Sequence, residues 1–208
     1  MLVDMHLHEK LYSPDSFITV EQIVEVAKQR GLDAVCITDH DSMGFRELAE
    51  EYSRRLQFPI FVGVEYFSLW GDITAWGIDS FPDHRDDAQA FIDAVNRQEG
   101  FCVSCHPFRN NKRGFEDNLR LARGLHGVEV LNGSADLEAN RTALRYAHEL
   151  GLKPIGASDA HTVEQIGKYV TWLPEKVDRL PDFIAQLRSC ETKPAIWNGS
   201  SYDVVDTF

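Results

Sequence analysis

Apolar residues along this chain follow two alternating rhythms. Short continuous apolar runs give way to longer stretches in which apolar positions return every three or four residues. Leu2 to Met5 reads as a strand. From Val20 to Arg30, the residues Val20, Ile23, Val24 and Ala27 fall on one helical face, and Gly31 stops the helix. Asp33 to Thr38 predicts a strand, Phe45 to Leu56 a helix, and Ile60 to Val64 a strand. Tyr66 to Ile78 predicts a hairpin turning at Gly71-Asp72. A helix is expected from Asp86 to Gln98, then strands at Phe101 to Ser104 and Gly127 to Leu131. The long helix Leu137 to Leu150 ends at Gly151, and Lys153 to Ala157 is the next strand. Val170 to Leu173 and a helix near Leu180 to Arg188 close the pattern.

Strand and helix alternating at this spacing mean βαβ units and a parallel sheet, an α/β fold. About seven such units favour a barrel over an open sheet. In either arrangement the functional site lies where the strands exit at their C-terminal ends.

Composition narrows the class. The 208 residues are enough for a single domain spanning 1–208, and 43% hydrophobic with 26% charged is ordinary for a globular chain. No apolar run is long enough to span a membrane. The N-terminus shows no basic region followed by an apolar stretch, and Cys36, Cys102, Cys105 and Cys190 are too few for a disulfide framework. A reduced, cytoplasmic protein is expected; oligomeric state is not legible. The formal charge of −12, from 33 acids against 21 bases, repels long polyanions, so duplex nucleic acid is not an expected partner. A small anionic substrate is compatible, because bound divalent cations reverse the field inside a pocket.

The strand exits carry the chemistry. The first ends in Asp4-Met5-His6-Leu7-His8, the second in Thr38-Asp39-His40-Asp41 and the third in Gly63-Val64-Glu65. Another ends in His106-Pro107, and the strand after the long helix in Ser158-Asp159-Ala160-His161. Strand alternation puts Asp4, His6 and His8 on one face, so two imidazoles converge on one point and Asp4 is expected to orient one of them. Asp159 and His161 repeat the spacing. Charged groups gathered inside a fold are rarely buried unless paired or metal-bound, which makes a metal centre the expectation. His84, His126 and His148 fall outside these exits and read as surface or helix positions.

Phe101 to Pro107, FCVSCHP, contains the C-x-x-C-H spacing of covalent haem attachment. On a strand, however, Cys102 and Ser104 face one side, Val103 and Cys105 the other. Thiols on opposite faces cannot reach one haem or chelate one zinc ion, so the cysteines read as small buried hydrophobes. His106 then reads as a strand-end ligand, with Pro107 stopping the ladder.

Taken in order, D-x-H-x-H, T-D-H-D, G-V-E, H-P and S-D-A-H, from Asp4 to His161, resemble the PHP (polymerase and histidinol phosphatase) family of metallohydrolases. VEVLNGS at Val128 to Ser134 resembles the short stand-alone members. The resemblance implies a distorted (β/α)7 TIM-like barrel with two or three divalent ions, Mn, Fe or Zn, at the C-terminal face. It also implies hydrolysis, usually of phosphoesters, with some relatives acting on carbamates or other non-phosphate esters. Carried over, it places the first ion on His6, His8, Glu65 and Asp159. Glu65 bridges to a second ion that also takes His106. Asp15, His40 and His161 hold a third. His40 or His161 is the alternative general acid. Arg109 is the candidate contact for a phosphate oxygen. Such ions would hold a metal-bridging hydroxide as nucleophile. One departure stands out: relatives carry a further His on the hairpin strand, and here the position is Thr74, which leaves water, Asp72 or His84 to compensate. Two other readings follow from the same residues: the same cluster acting on a non-phosphate ester, carbamate or amide, and a non-catalytic metal-binding or regulatory module.

Overall fold

In the computed structural model, which describes residues 1–82 and 85–205, the strands form one ten-stranded sheet. In chain order the elements are β1 (Leu2–Leu7), α1 (Val20–Gln29), β2 (Ala34–Ile37), α2 (Arg46–Leu56), β3 (Ile60–Phe67), β4 (Asp72–Trp76), α3 (Ala88–Arg97), β5 (Phe101–Ser104), β6 (Gly127–Asn132), α4 (Leu137–Leu150), β7 (Lys153–Ala157), β8 (Tyr169–Trp172), α5 (Leu180–Ser189), β9 (Lys193–Trp197) and β10 (Tyr202–Val204). The helices begin and end as expected for local reasons. Thr19 closes a capping box with Gln22 at the start of α1, Asp136 caps α4, and Gly151 ends α4 in the left-handed conformation. No helix among the described residues is long and apolar enough to cross a membrane.

The expected α/β fold forms, but the distorted (β/α)7 barrel does not close. The sheet is a curled half-barrel. Strand β4 runs antiparallel to both β3 and β5, and a short 3-10 turn at Glu116–Arg120 stands where a helix would join β5 to β6. Strands β1 and β7 meet only at their exits, through the Leu7–Ala160 bridge and the bonds His8 N to Ala160 O (3.1 Å) and Asp159 N to His6 O (2.9 Å). Lower down, β8 enters antiparallel against β1, and Thr171 Oγ1 accepts from Gly156 N at 3.0 Å. Strands β9 and β10 then extend that edge beyond the last expected helix.

The inside of the curl is apolar below and polar above. Phe61, Trp76, Phe101, Val103, Ile155 and Ala157 pack with Val3 and Met5, and Phe183 and Leu187 of α5 plug the bottom. The helices α1 and α2 cover the outer side of β1 to β3, and α3 and α4 cover β4 to β6. Cys102 lies in that outer layer and Cys105 faces inward beside His6, so the two thiols do point to opposite sides.

Candidate metal centre

The alternation along β1 is broken. Val3 and Met5 belong to the inner apolar cluster, which by strict alternation would turn His6 outward. The pairing of β1 with β2 is irregular between Asp4 and Leu7, and this shift brings His6 and His8 inward. Asp4 stays on the other side, where its carboxylate accepts from Ser158 N (3.0 Å) and Gly167 N (2.8 Å). It ties the strand exits together and touches no imidazole ring nitrogen, contrary to the expectation for it. Burial pushes its pKa up to about 6.

Two residues that the motifs did not flag orient the histidines instead. Glu129, in the middle of β6 and buried, accepts from His6 Nδ1 at 2.9 Å and from the backbone N of His106 at 3.0 Å. Ser13 Oγ lies 3.2 Å from His8 Nδ1, donates to Asp39 Oδ1 at 2.8 Å and accepts from His40 N at 3.2 Å. Its one proton is committed to Asp39, so His8 Nδ1 is the donor toward it. Both imidazoles therefore carry Nδ1–H and present the Nε2 lone pair inward, where the two atoms stand 3.0 Å apart. The sequence signal for Glu129 was an acid inside an apolar run; it passes for a solvent-facing position unless both faces of the strand are known to be covered.

All eight expected ligands gather at this end of the sheet. His6, His8 and Asp159 form one group, with Asp159 Oδ1 3.6 and 3.4 Å from the two Nε2 atoms. Glu65 Oε2 lies 3.5 Å from His6 Nε2, 3.4 Å from His8 Nε2 and 2.6 Å from His40 Nδ1. Glu65 Oε1 reaches His106 Nε2 at 3.1 Å, and Asp72 Oδ2 is 3.6 Å from the same nitrogen. His8, His40 and His161 form a further group. Asp15 approaches it with Oδ2 3.1 Å from His40 Nε2 and 3.5 Å from His161 Nε2, from a side chain that is 55% exposed. Arg109 Nη1 reaches Asp159 Oδ2 at 3.2 Å.

The hairpin differs from expectation in one useful way. Strand β3 continues past Glu65 to Phe67, so Glu65 pairs directly with Thr74 and Phe67 with Asp72 on β4. Thr74 is buried and its hydroxyl lies 3.4 Å from Val103 O. Asp72, two residues earlier on the same inward face, joins Glu65 and His106 in a potential ligand group. His84, the other candidate for compensation, lies outside the described residues.

The electrostatics fit cations. Burial alone would lower the His6 pKa, but the carboxylates of Glu129, Asp159 and Glu65 hold it well above the ordinary value, while burial brings His8 down to about 4. The two Nε2 atoms face each other at 3.0 Å, the place a shared cation would take. Burial and the nearby Glu65 push Asp72 up to about 7. Buried Glu65 Oε2 is ion-paired with His40 Nδ1 at 2.6 Å and also faces His8 Nε2 and His6 Nε2. A carboxylate oxygen surrounded by three imidazole nitrogens is suited to a metal ion.

Two of the candidate ligands sit in strained backbone. His106 has φ of 29° and Asp159 φ of 52°, in the left-handed region that costs a side-chain-bearing residue roughly 1–2 kcal/mol. The turn at His106 lets Cys105 and His106 both face the cluster, and Cys105 falls in a possible ligand group with His6 and Glu65.

Comparison with known proteins agrees with this geometry. The protein MJ1587 of Methanocaldococcus jannaschii is 25% identical over 141 residues, 64% of this chain and 82% of that one. A phosphoribosyl 1,2-cyclic phosphate 1,2-diphosphodiesterase of Eggerthella lenta is 34% identical over 65 residues, 31% of this chain and 24% of its own length. A solved two-domain protein of Bacteroides vulgatus, containing a predicted PHP-like metal-dependent phosphoesterase, superposes with a TM-score of 0.74 at 22% identity. That superposition covers 93% of this chain and 64% of the other, which is therefore considerably longer. The PHP-associated family model matches residues 138–192, and the PHP domain model matches residues 4–110, the segment that holds His6, His8, Asp15, His40, Glu65 and His106. Family model, fold and site geometry agree, and this chain belongs to the PHP domain family.

Proposed function

We propose that this chain is a metal-dependent phosphoesterase acting on a small anionic metabolite or nucleotide in the cytoplasm. The observation that carries the reading is the pair of Nε2 atoms on His6 and His8, 3.0 Å apart, with Glu65 Oε2 at 3.5 and 3.4 Å from them. In this reading His6, His8, Glu65 and Asp159 hold a first divalent ion, Glu65 and His106 a second, and Asp15, His40 and His161 a third. Mixed nitrogen and oxygen donors suit Mn, Fe or Zn. When bound, such ions polarise a phosphoryl oxygen and make water acidic enough to supply the nucleophile.

The chain's own residues do the rest. Glu129 and Ser13 keep the ring protons of His6 and His8 on Nδ1, away from the site. Arg109 exchanges its bond to Asp159 for a substrate oxygen, a charge-assisted contact of the kind that recognises phosphate. In the alternative without a third ion, His40 or His161, 26% and 24% exposed on the solvent side, is free to give a proton to the leaving oxygen. The Eggerthella lenta relative, named as a diphosphodiesterase, supports phosphorus as the electrophile. Thr74 alone favoured a non-catalytic metal-binding module, and the acidic Asp72 on the same face removes that reason.

The test is Glu65→Gln, assayed on phosphomonoesters, cyclic diesters, nucleotides and neutral esters with Mn, Fe or Zn supplied. Bound metal should fall and turnover vanish, with the fold retained because the shape is nearly conserved. Full metal content with unchanged turnover overturns the assignment. Faster turnover of a neutral carboxyl or carbamate ester than of any phosphoester moves the chemistry to that class.

A further inference from the structure

Among the described residues, Asp72 is held by an arrangement that its place at the cluster does not require. Its backbone N donates to Arg113 O at 2.8 Å, and its carboxylate takes Arg113 Nε at 2.6 Å and Nη2 at 3.0 Å. The approach is close enough that a Cβ on the preceding Gly71, whose φ is 140°, would meet Arg113 O at 2.7 Å. The Arg113 guanidinium is itself set by packing, with its central carbon 4.3 Å from the centre of the Phe67 ring, whose other cationic neighbour is Arg85 at 3.9 Å. Phe67 pairs with Asp72 across the hairpin, two residues beyond the Glu65–Thr74 pair. One short hairpin therefore carries the bridging acid, the threonine that stands where an imidazole is expected, the nearby carboxylate and the ring that sets that carboxylate's clamp.

We propose that Asp72 and Arg113 together replace the imidazole that Thr74 does not supply: Asp72 is a ligand of the second ion, and Arg113 is the positioning residue that aims its carboxylate at it. The inference rests on the reading of this cluster as a metal centre. A carboxylate has about four lone-pair sites, so a bidentate arginine leaves the remaining ones for a cation. Asp72 is fully buried and keeps an inward oxygen 3.6 Å from His106 Nε2, with Glu65 Oε1 3.1 Å from the same nitrogen. Arg113 acts in two opposed ways. Its charge repels the ion, and its fork holds the carboxylate in one orientation. The proposal requires the second effect to win.

Stepwise binding of Mn to the dialysed protein, followed by calorimetry and by the exchange-coupled signal of a metal pair in electron paramagnetic resonance, separates the two ions. Asp72→Asn should weaken the second ion about 100-fold and remove the coupled signal, and Arg113→Gln should weaken it about 10-fold, the range for losing a group that orients a ligand. The first ion should weaken less than the second in each, since Asp72 and Arg113 reach its ligands only through the shared Glu65. Asp72→Asn combined with Thr74→His should regain the second ion and the coupled signal. An unchanged second ion in Asp72→Asn refutes Asp72 as a ligand. Tighter binding in Arg113→Gln, or equal loss of both ions along with a lowered melting temperature, refutes the positioning role. If wild type binds no ion at all through His6 and His8, the metal-centre reading fails, an outcome distinct from the other two.

Discussion

Glu129→Gln offers the sharpest check on how the first ion's ligands are prepared. Glu129 is buried and its two oxygens serve three donors: His6 Nδ1 at 2.9 Å on one, His106 N at 3.0 Å and Asn132 Nδ2 at 2.8 Å on the other. Glutamine has one acceptor oxygen and one donor amide, so it cannot satisfy both sides. If its oxygen keeps the backbone of His106, its NH2 faces His6 Nδ1 and forces that ring into the tautomer with the proton on Nε2. That proton then occupies the position that the proposed first ion would take. If the amide turns over, two donors are left facing a donor. Either way a charge-assisted hydrogen bond of about 1.5–3 kcal/mol is lost. Metal affinity should fall about 10- to 100-fold, the usual cost of removing a partner that fixes a ligating histidine. Tenfold corresponds to about 1.4 kcal/mol, so the two magnitudes are consistent. Calorimetric titration of the first ion, with a thermal melt in parallel, reads both quantities. A first-ion affinity within about 2-fold of wild type, in a variant that has folded, would falsify the claim that Glu129 sets the His6 tautomer.

Three further outcomes are expected. Arg109→Ala should lower kcat/KM for a phosphoester by about 10- to 100-fold while leaving bound metal unchanged, and equal kinetics would remove Arg109 from the substrate site. His126 is buried against Arg188 and Lys153, which holds its pKa down at about 4; stability is therefore full above its ordinary value of 6.5 and declines as pH falls toward 4. Discounting for its partial exposure, the loss between about pH 7.5 and about pH 5 is about 1 kcal/mol in urea unfolding, and His126→Gln should remove that part of the slope. Gly156→Ala should destabilise by about 2–3 kcal/mol in the same assay, because the new Cβ would lie 2.3 Å from Val170 O where β8 crosses β7; a stability equal to wild type would mean β8 is not wedged there.

The periodic pattern by itself determined the elements up to α5, though not β9 and β10, and the end of the sheet that carries the chemistry. Helix α4 runs from Leu137 to Leu150 and β7 from Lys153 to Ala157, as their apolar spacing and Gly151 dictate. The opposite faces of Cys102 and Cys105 followed from strand alternation alone, and the placing of His, Asp and Glu at the strand exits from their positions after the apolar runs. These are local properties, because a period of two or of 3.6 residues is written into neighbouring positions.

What the local pattern could not contain is whatever depends on pairing between distant segments. The irregular pairing of β1 sends Asp4 away from His6 although both are in one short strand, and no residue type marks it. Glu129 gains its role only because β6 is covered on both sides. Asp72 gains its place from the register of β3 on β4, and its clamp comes from Arg113 on a loop 41 residues later. The barrel stays open as a closed ladder because β8 takes the lower edge of β1 that β7 would have needed, and β8 follows β7 in sequence. Strand competition of that kind is resolved by which edges can pack, Thr171 on Gly156 among them, and it is settled only when the chain has folded.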